Sequence, residues 1–200
     1  MTETAENGDR RVCVYCASSR TCSAEYHLAA YRLGAVLADC GYTIVYGGGG
    51  FGSMGALADG AISRRGRVVG ILPHFMQDLE WGHRGLTELR LVDDMRARKH
   101  LMLADSVGAV ALPGGSGTLE ELLETLTLKR LGLYLKPIVL VNTRGYFEPL
   151  LQLLSSAVVE GFMDDRHRSM WQVVGEPEEV PDAIATAPQW SSDARRFAAL

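Results

Sequence analysis

Short runs of continuously apolar residues alternate with segments of helical period along almost the whole chain. "RVCVYCAS" near the start, "YTIVY" from Tyr42, "RVVGILP" from Arg67, "VGAVALP" from Val107 and "KPIVLVN" from Lys136 read as strands, and "TELRLVDD" and "WQVV" as shorter ones. Between them, "SAEYHLAAYRLGAVLADCG", "ALADGAISRRG", "MRARKHLMLADS", "TLEELLETLTLKRLG" and "YFEPLLQLLSSAVVEGF" carry apolar residues at helical spacing. "PEEVPDAIATA" reads as a last helix. Strands without polar alternation are buried on both faces, which requires helices above and below a parallel sheet. The expected fold is therefore α/β: a single-domain, Rossmann-like, doubly wound and mostly parallel sheet with helices on both faces. The 200 residues show no repeat or linker, so one domain is expected over residues 12–187. Residues 1–11 are expected to be a disordered N-terminus and 188–200 a C-terminal tail.

Charge and composition exclude several functions. The net charge is -4 and no basic block is present, which argues against a nucleic-acid partner, since phosphate contacts need clustered Lys and Arg. No run approaches the ~20 apolar residues of a membrane span, and "MTETAENGDRR" lacks the apolar core of a signal peptide. A cytoplasmic protein is expected. The four cysteines include a C-x-x-C at Cys13 and Cys16, which admits a redox or metal reading. Both fall in or at the end of a strand, where residues three apart face opposite sides, so buried free thiols are the reading preferred. No set of His, Cys and carboxylates has metal-ligand spacing.

Two strand ends are rich in glycine: "YGGGGFGSMG" and "PGGSGT". Glycine lets backbone N–H groups approach a ligand, and a helix N-terminus adds free donors and a positive dipole end. Two such loops at one sheet edge suggest a phosphate. The first matches G-x-G-x-x-G, but the next strand ends without an acidic residue, which disfavours a dinucleotide. The absence of G-K-[ST] disfavours a Walker-type ATP site.

Charged residues surround these loops. Thr118-x-x-Glu121 fits a capping box, and the same glutamate would face any ligand in the loop. The helix dipole would favour its ionised form, making it a base or electrostatic stabiliser more readily than an acid. "MRARKH" puts Arg96, Arg98, Lys99 and His100 at a helix start, where cations oppose the dipole. This is either a solvated basic face or an anion site with Arg98 gripping in a bidentate way. Glu80 and His83 lie in a loop, with a structural role open for the histidine.

"PGGSGTLEE" resembles the P-G-G-x-G-T-x-x-E signature of the Lonely Guy family, the cytokinin-activating phosphoribohydrolases. "CVYCASS", "YGGGGFGSMG" and "MRARK" are similar to its companion motifs, and the resemblance runs from about Val12 to Pro181. It implies hydrolysis of the N-glycosidic bond of an N6-modified adenosine 5′-monophosphate to free base and ribose 5-phosphate, without a cofactor or metal. It implies Arg98 and Glu121 as the catalytic pair. Substrate binding would fall to these two with Glu80, Lys99, Gly114, Gly115, Ser116, Gly117, Thr118 and Thr127. Ser19, Gly47, Gly48, Gly49 and Met54 would complete the nucleotide loop. The resemblance also implies a homodimer with sites near the subunit interface. A broader nucleoside-monophosphate nucleosidase, or a non-catalytic nucleotide or molybdopterin-cofactor carrier, is the alternative. A lysine decarboxylase role, a label borne by many relatives, lacks a Schiff-base lysine setting and the larger cofactor scaffold.

Overall fold

The computed structural model describes residues 9–78 and 82–198. Seven strands, β1 (Arg11–Tyr15), β2 (Thr43–Tyr46), β3 (Val68–Pro73), β4 (Glu88–Val92), β5 (Ser106–Ala111), β6 (Ile138–Val141) and β7 (Gln172–Val174), alternate with seven α-helices. These are α1 (Ala24–Asp39), α2 (Gly52–Ser63), α3 (His74–Asp78), α4 (Met95–Leu103), α5 (Ser116–Arg130), α6 (Glu148–Val159) and α7 (Val180–Thr186). The strands form one sheet in the order β4-β3-β2-β1-β5-β6-β7. Each adjacent pair is parallel.

The apolar runs that marked the strands have the burial they implied: β2, β3 and β6 are buried at every position. Residues of alternate parity enter two separate cores, one on each side of the sheet. Val12, Val14 and Cys16 join Leu33, Leu37 and Leu57 on one side, while Cys13 and Tyr15 join Leu122, Leu126 and Phe147 on the other. The C-x-x-C thiols thus lie on opposite faces, free and buried, and burial pushes both thiols well up from their ordinary value. A thiolate for redox or metal chemistry is disfavoured at either position.

The sequence-based boundaries shift at both ends. β1 begins at Arg11, and the Arg10 guanidinium lies 4.1 Å from the centre of the Tyr42 ring; residues 1–8 are outside the described part. The segment read as a tail is docked: Trp190 donates from Nε1 to Lys129 O at 2.7 Å, and Ala194 and Ala198 are buried.

β1 sits at the centre of the sheet, and the chain winds from it in two directions, towards β2 on one side and β5 on the other. The crevice beyond the carboxyl ends of these strands is the topological switch point, where doubly wound sheets bind ligands. The loops leaving β1, β2 and β5 all open there, and two of them are the glycine-rich segments.

Helices α1 and α2 pack so closely that backbone meets backbone. A Cβ on Gly34 would stand 2.0 Å from Leu57 O, and one on Gly60 would stand 2.0 Å from Tyr31 O. Since this contact is backbone, no rotamer change relieves it. Gly34→Ala is expected to lower stability by about 2 kcal/mol or more, read as a fall in the urea midpoint at unchanged slope.

Candidate functional site

The three loops enclose a cavity of about 760 Å³ lined by residues of all of them. Ser19 comes from the loop after β1, Gly47, Gly49 and Met54 from the loop after β2 and the start of α2, and Gly115 to Thr118 from the start of α5. Arg98 and Glu121 complete the wall.

Arg98 holds the site together. The residue is 5% exposed and lies on α4, whose N-cap Asp94 accepts from Ala97 N at 2.8 Å. That cap supplies the local compensation for cations at a helix start which the bare sequence lacked. Arg98 donates from Nε to Ile71 O at 3.1 Å and from Nη2 to Gly47 O at 3.1 Å. Its Nη1 lies 3.6 Å from Glu121 Oε1. One guanidinium thus ties the ends of β3 and β2 to α5. A Cβ at Gly47 would stand 1.8 Å from Arg98 Nη2, so a larger residue there would displace the guanidinium from this seat.

The loop after β1 is pressed on the second loop in a similar way. Gly52, at φ +59, would put a Cβ 2.3 Å from Ser19 O, and Met54 N donates to Ala17 O at 3.0 Å.

Helix α5 differs from the capping-box expectation. Its N-cap is Gly115, which has no side chain to cap with, so Thr118 is the third helical residue and Glu121 lies in the second turn. Thr118 is buried against the loop rather than capping it. The first N–H groups of α5 are therefore left facing the cavity without a side-chain cap, an anion-ready arrangement.

The ionisation of Glu121 also differs from the expectation. Burial raises its pKa from 4.5 to about 7, against a lowering by the Arg98 charge. The dipole argument placed the carboxylate too near the helix start and omitted its burial at 5% exposure. Near neutral pH this group populates both protonation states and can accept or donate a proton.

Other residues singled out from the sequence are not drawn into the cavity. Lys99 is held by Glu120 and by Glu124 Oε2 at 2.8 Å. Thr127 is exposed, donating from Oγ1 to Leu123 O at 2.8 Å, and lies more than a turn beyond Glu121 on another face of α5. Gly48 packs under the loop against Leu72 and Leu89, and Gly114 accepts from the Tyr146 hydroxyl. His83 Nε2 is 3.1 Å from Asp59 Oδ1, supporting its structural reading. Glu80 lies outside the described residues. Conversely, Arg20, Phe51, Leu72, Met76 and Met95 line the cavity although none was a candidate site residue in the sequence; the fold brings them together.

Fold and site define a Rossmann-like, doubly wound α/β protein with a cavity at its switch point. The fold is shared with the molybdenum cofactor binding protein of Rippkaea orientalis, at TM-score 0.69 and 21% identity over 89% of this chain and 96% of that one. Residues 54–184 match the family model described as "Possible lysine decarboxylase". The chain is 44% identical over 154 residues to the probable cytokinin riboside 5′-monophosphate phosphoribohydrolase LOGL5 of Oryza sativa subsp. japonica. That match takes in 77% of this chain and 63% of the rice protein, so the chain spans less than two thirds of that relative. It is 42% identical over 161 residues to the cytokinin riboside 5′-monophosphate phosphoribohydrolase of Rhodococcoides fascians, covering 80% of this chain and 81% of that protein. The chain belongs to the Lonely Guy family that the glycine signature resembled.

Because the Arg98 charge opposes the rise in the Glu121 pKa, removing it has a defined sign. Arg98→Gln is expected to raise the Glu121 pKa further above 7, read by carbon-13 NMR titration of the labelled carboxyl. An unchanged or lowered pKa would contradict the electrostatic role of the pair.

Proposed function

We propose that the protein hydrolyses the N-glycosidic bond of N6-modified adenosine 5′-monophosphates, releasing the free base and ribose 5-phosphate. The observation that carries this reading is the buried Arg98–Glu121 pair at 3.6 Å, set in one cavity with the uncapped start of α5. The names of the family relatives support the substrate class.

In this reading the 5′-phosphate sits on the amides of Ser116, Gly117 and Thr118. That anchor fixes the ribose against Glu121, converting binding into orientation. Cleavage builds oxocarbenium character at the anomeric carbon. The C–N electron pair leaves on the purine, which takes up a proton from solvent, while the ionised Glu121 stabilises the cation and accepts a proton from the attacking water, or attacks the carbon to give an ester that water then hydrolyses. Arg98, with Nη1 3.6 Å from Glu121 Oε1, favours the charged carboxylate against its burial. The chemistry needs no group beyond these side chains and water. A homodimer with sites near the subunit interface belongs to the same reading: Leu123 on α5 and its C-cap Leu131 are apolar yet 42% exposed each.

Free-base release from N6-isopentenyladenosine 5′-monophosphate, followed by chromatography, tests the proposal. Base is expected from the monophosphate and not from the dephosphorylated riboside, with Glu121→Gln reducing kcat by about 10³-fold or more. Cleavage of plain AMP at equal rate would point to the broader nucleosidase. Nucleotide binding without cleavage would favour the carrier.

The pH dependence has a definite sign. The ionised form is the working one, and the pKa of Glu121 is raised to about 7. Activity should fall as pH drops through that value, about tenfold per unit on the acid side. A rate that rises on acidification would assign Glu121 as the acid instead.

A further inference from the structure

The charges of the cavity do not balance those of the nucleotide assigned to it. A 5′-phosphate brings close to two negative charges. Arg98 is already opposed by Glu121 and spends Nε and Nη2 on the carbonyls of Ile71 and Gly47. The start of α5 offers roughly half a positive charge. Lys99 is held outside the cavity by two glutamates.

Among the described residues, Arg20 is the remaining cation on the wall. It has no ion-pair partner among the described residues. Its guanidinium carbon lies 3.6 Å from the centre of the Phe51 ring. Stacking fixes the plane of a guanidinium while leaving its edge N–H groups free, the geometry that accepts a phosphate in a bidentate way. The placement is built into the backbone. Gly52 admits the Ser18–Ser19 segment at contact distance, which seats Arg20 over the ring of the preceding residue.

We infer that Arg20, held over the ring of Phe51, is the cation that pairs with the 5′-phosphate opposite the start of α5. This rests on the nucleotide reading of the cavity and adds to it a substrate-binding residue and the ring that orients it. Arg20 therefore selects for phosphorylated over dephosphorylated ligands, and its contribution is independent of the base.

The test measures binding, so that it stands apart from turnover. Isothermal titration calorimetry of wild type, Arg20→Ala, Arg20→Lys and Phe51→Leu would use two probes, ribose 5-phosphate and N6-isopentenyladenine. Arg20→Ala is expected to weaken ribose 5-phosphate about tenfold and leave the free base within twofold. Arg20→Lys, which keeps the charge without the fork, and Phe51→Leu, which frees the guanidinium, should fall between. Unchanged ribose 5-phosphate affinity in Arg20→Ala would overturn the inference, as would equal weakening of both probes. If the wild type binds ribose 5-phosphate with the expected Arg20 dependence yet cleaves no nucleotide, the hydrolase reading fails and the phosphate contact stands.

Discussion

A buried arginine sits where three strand ends meet, and the site depends on where its donors go. Arg98 donates to one carbonyl within β3 and one just after β2, and pairs with the carboxylate of Glu121 on α5. Removing the arginine would leave two carbonyls without their donor and push the buried Glu121 towards its neutral form. The same contact explains why the residue after β2 is glycine, since any Cβ would occupy the place of Nη2. A packing requirement and a chemical one converge on Gly47.

The electrostatics of the pair follow from competition between burial and charge. Desolvation disfavours the Glu121 carboxylate, and Arg98 partly restores it. The outcome, near 7, is a carboxyl that changes state in the range where it would work. A more exposed glutamate would stay ionised but would face a developing cation through water, where the attraction is screened. Burial raises the pKa and would at the same time strengthen the attraction between the carboxylate and a cation forming in the proposed substrate.

The order of strands and helices was legible because it needs only period and run length. Apolar runs without alternation gave β2, β3 and β6 as buried parallel strands, and the parity of Cys13 and Cys16 put them on opposite faces. The start of α5 was harder. Thr-x-x-Glu at three-residue spacing satisfies a capping box and also places two side chains one turn apart inside a helix. Glycines on both sides of Ser116 hide which applies, and the helix in fact begins at Ser116. The burial of Glu121 was illegible for a different reason: it comes from β1 and α4, far away in sequence. Arg20 carried no motif and Phe51 was hidden among the glycines of one, and they meet where Gly52 lets two loops touch. Thr127 was placed by resemblance alone, and its turn of α5 points away from the cavity of the single chain.

The central claim is geometric: the phosphate lies on the start of α5 and the anomeric carbon lies against Glu121. A crystal structure of the Glu121→Gln protein with N6-isopentenyladenosine 5′-monophosphate tests it most directly. The account places the phosphate on the amides of Ser116 to Thr118 and the anomeric carbon about 3–3.5 Å from the residue 121 side chain, a near-attack distance. A nucleotide bound with its phosphate elsewhere, or with its sugar turned away from residue 121, would contradict it.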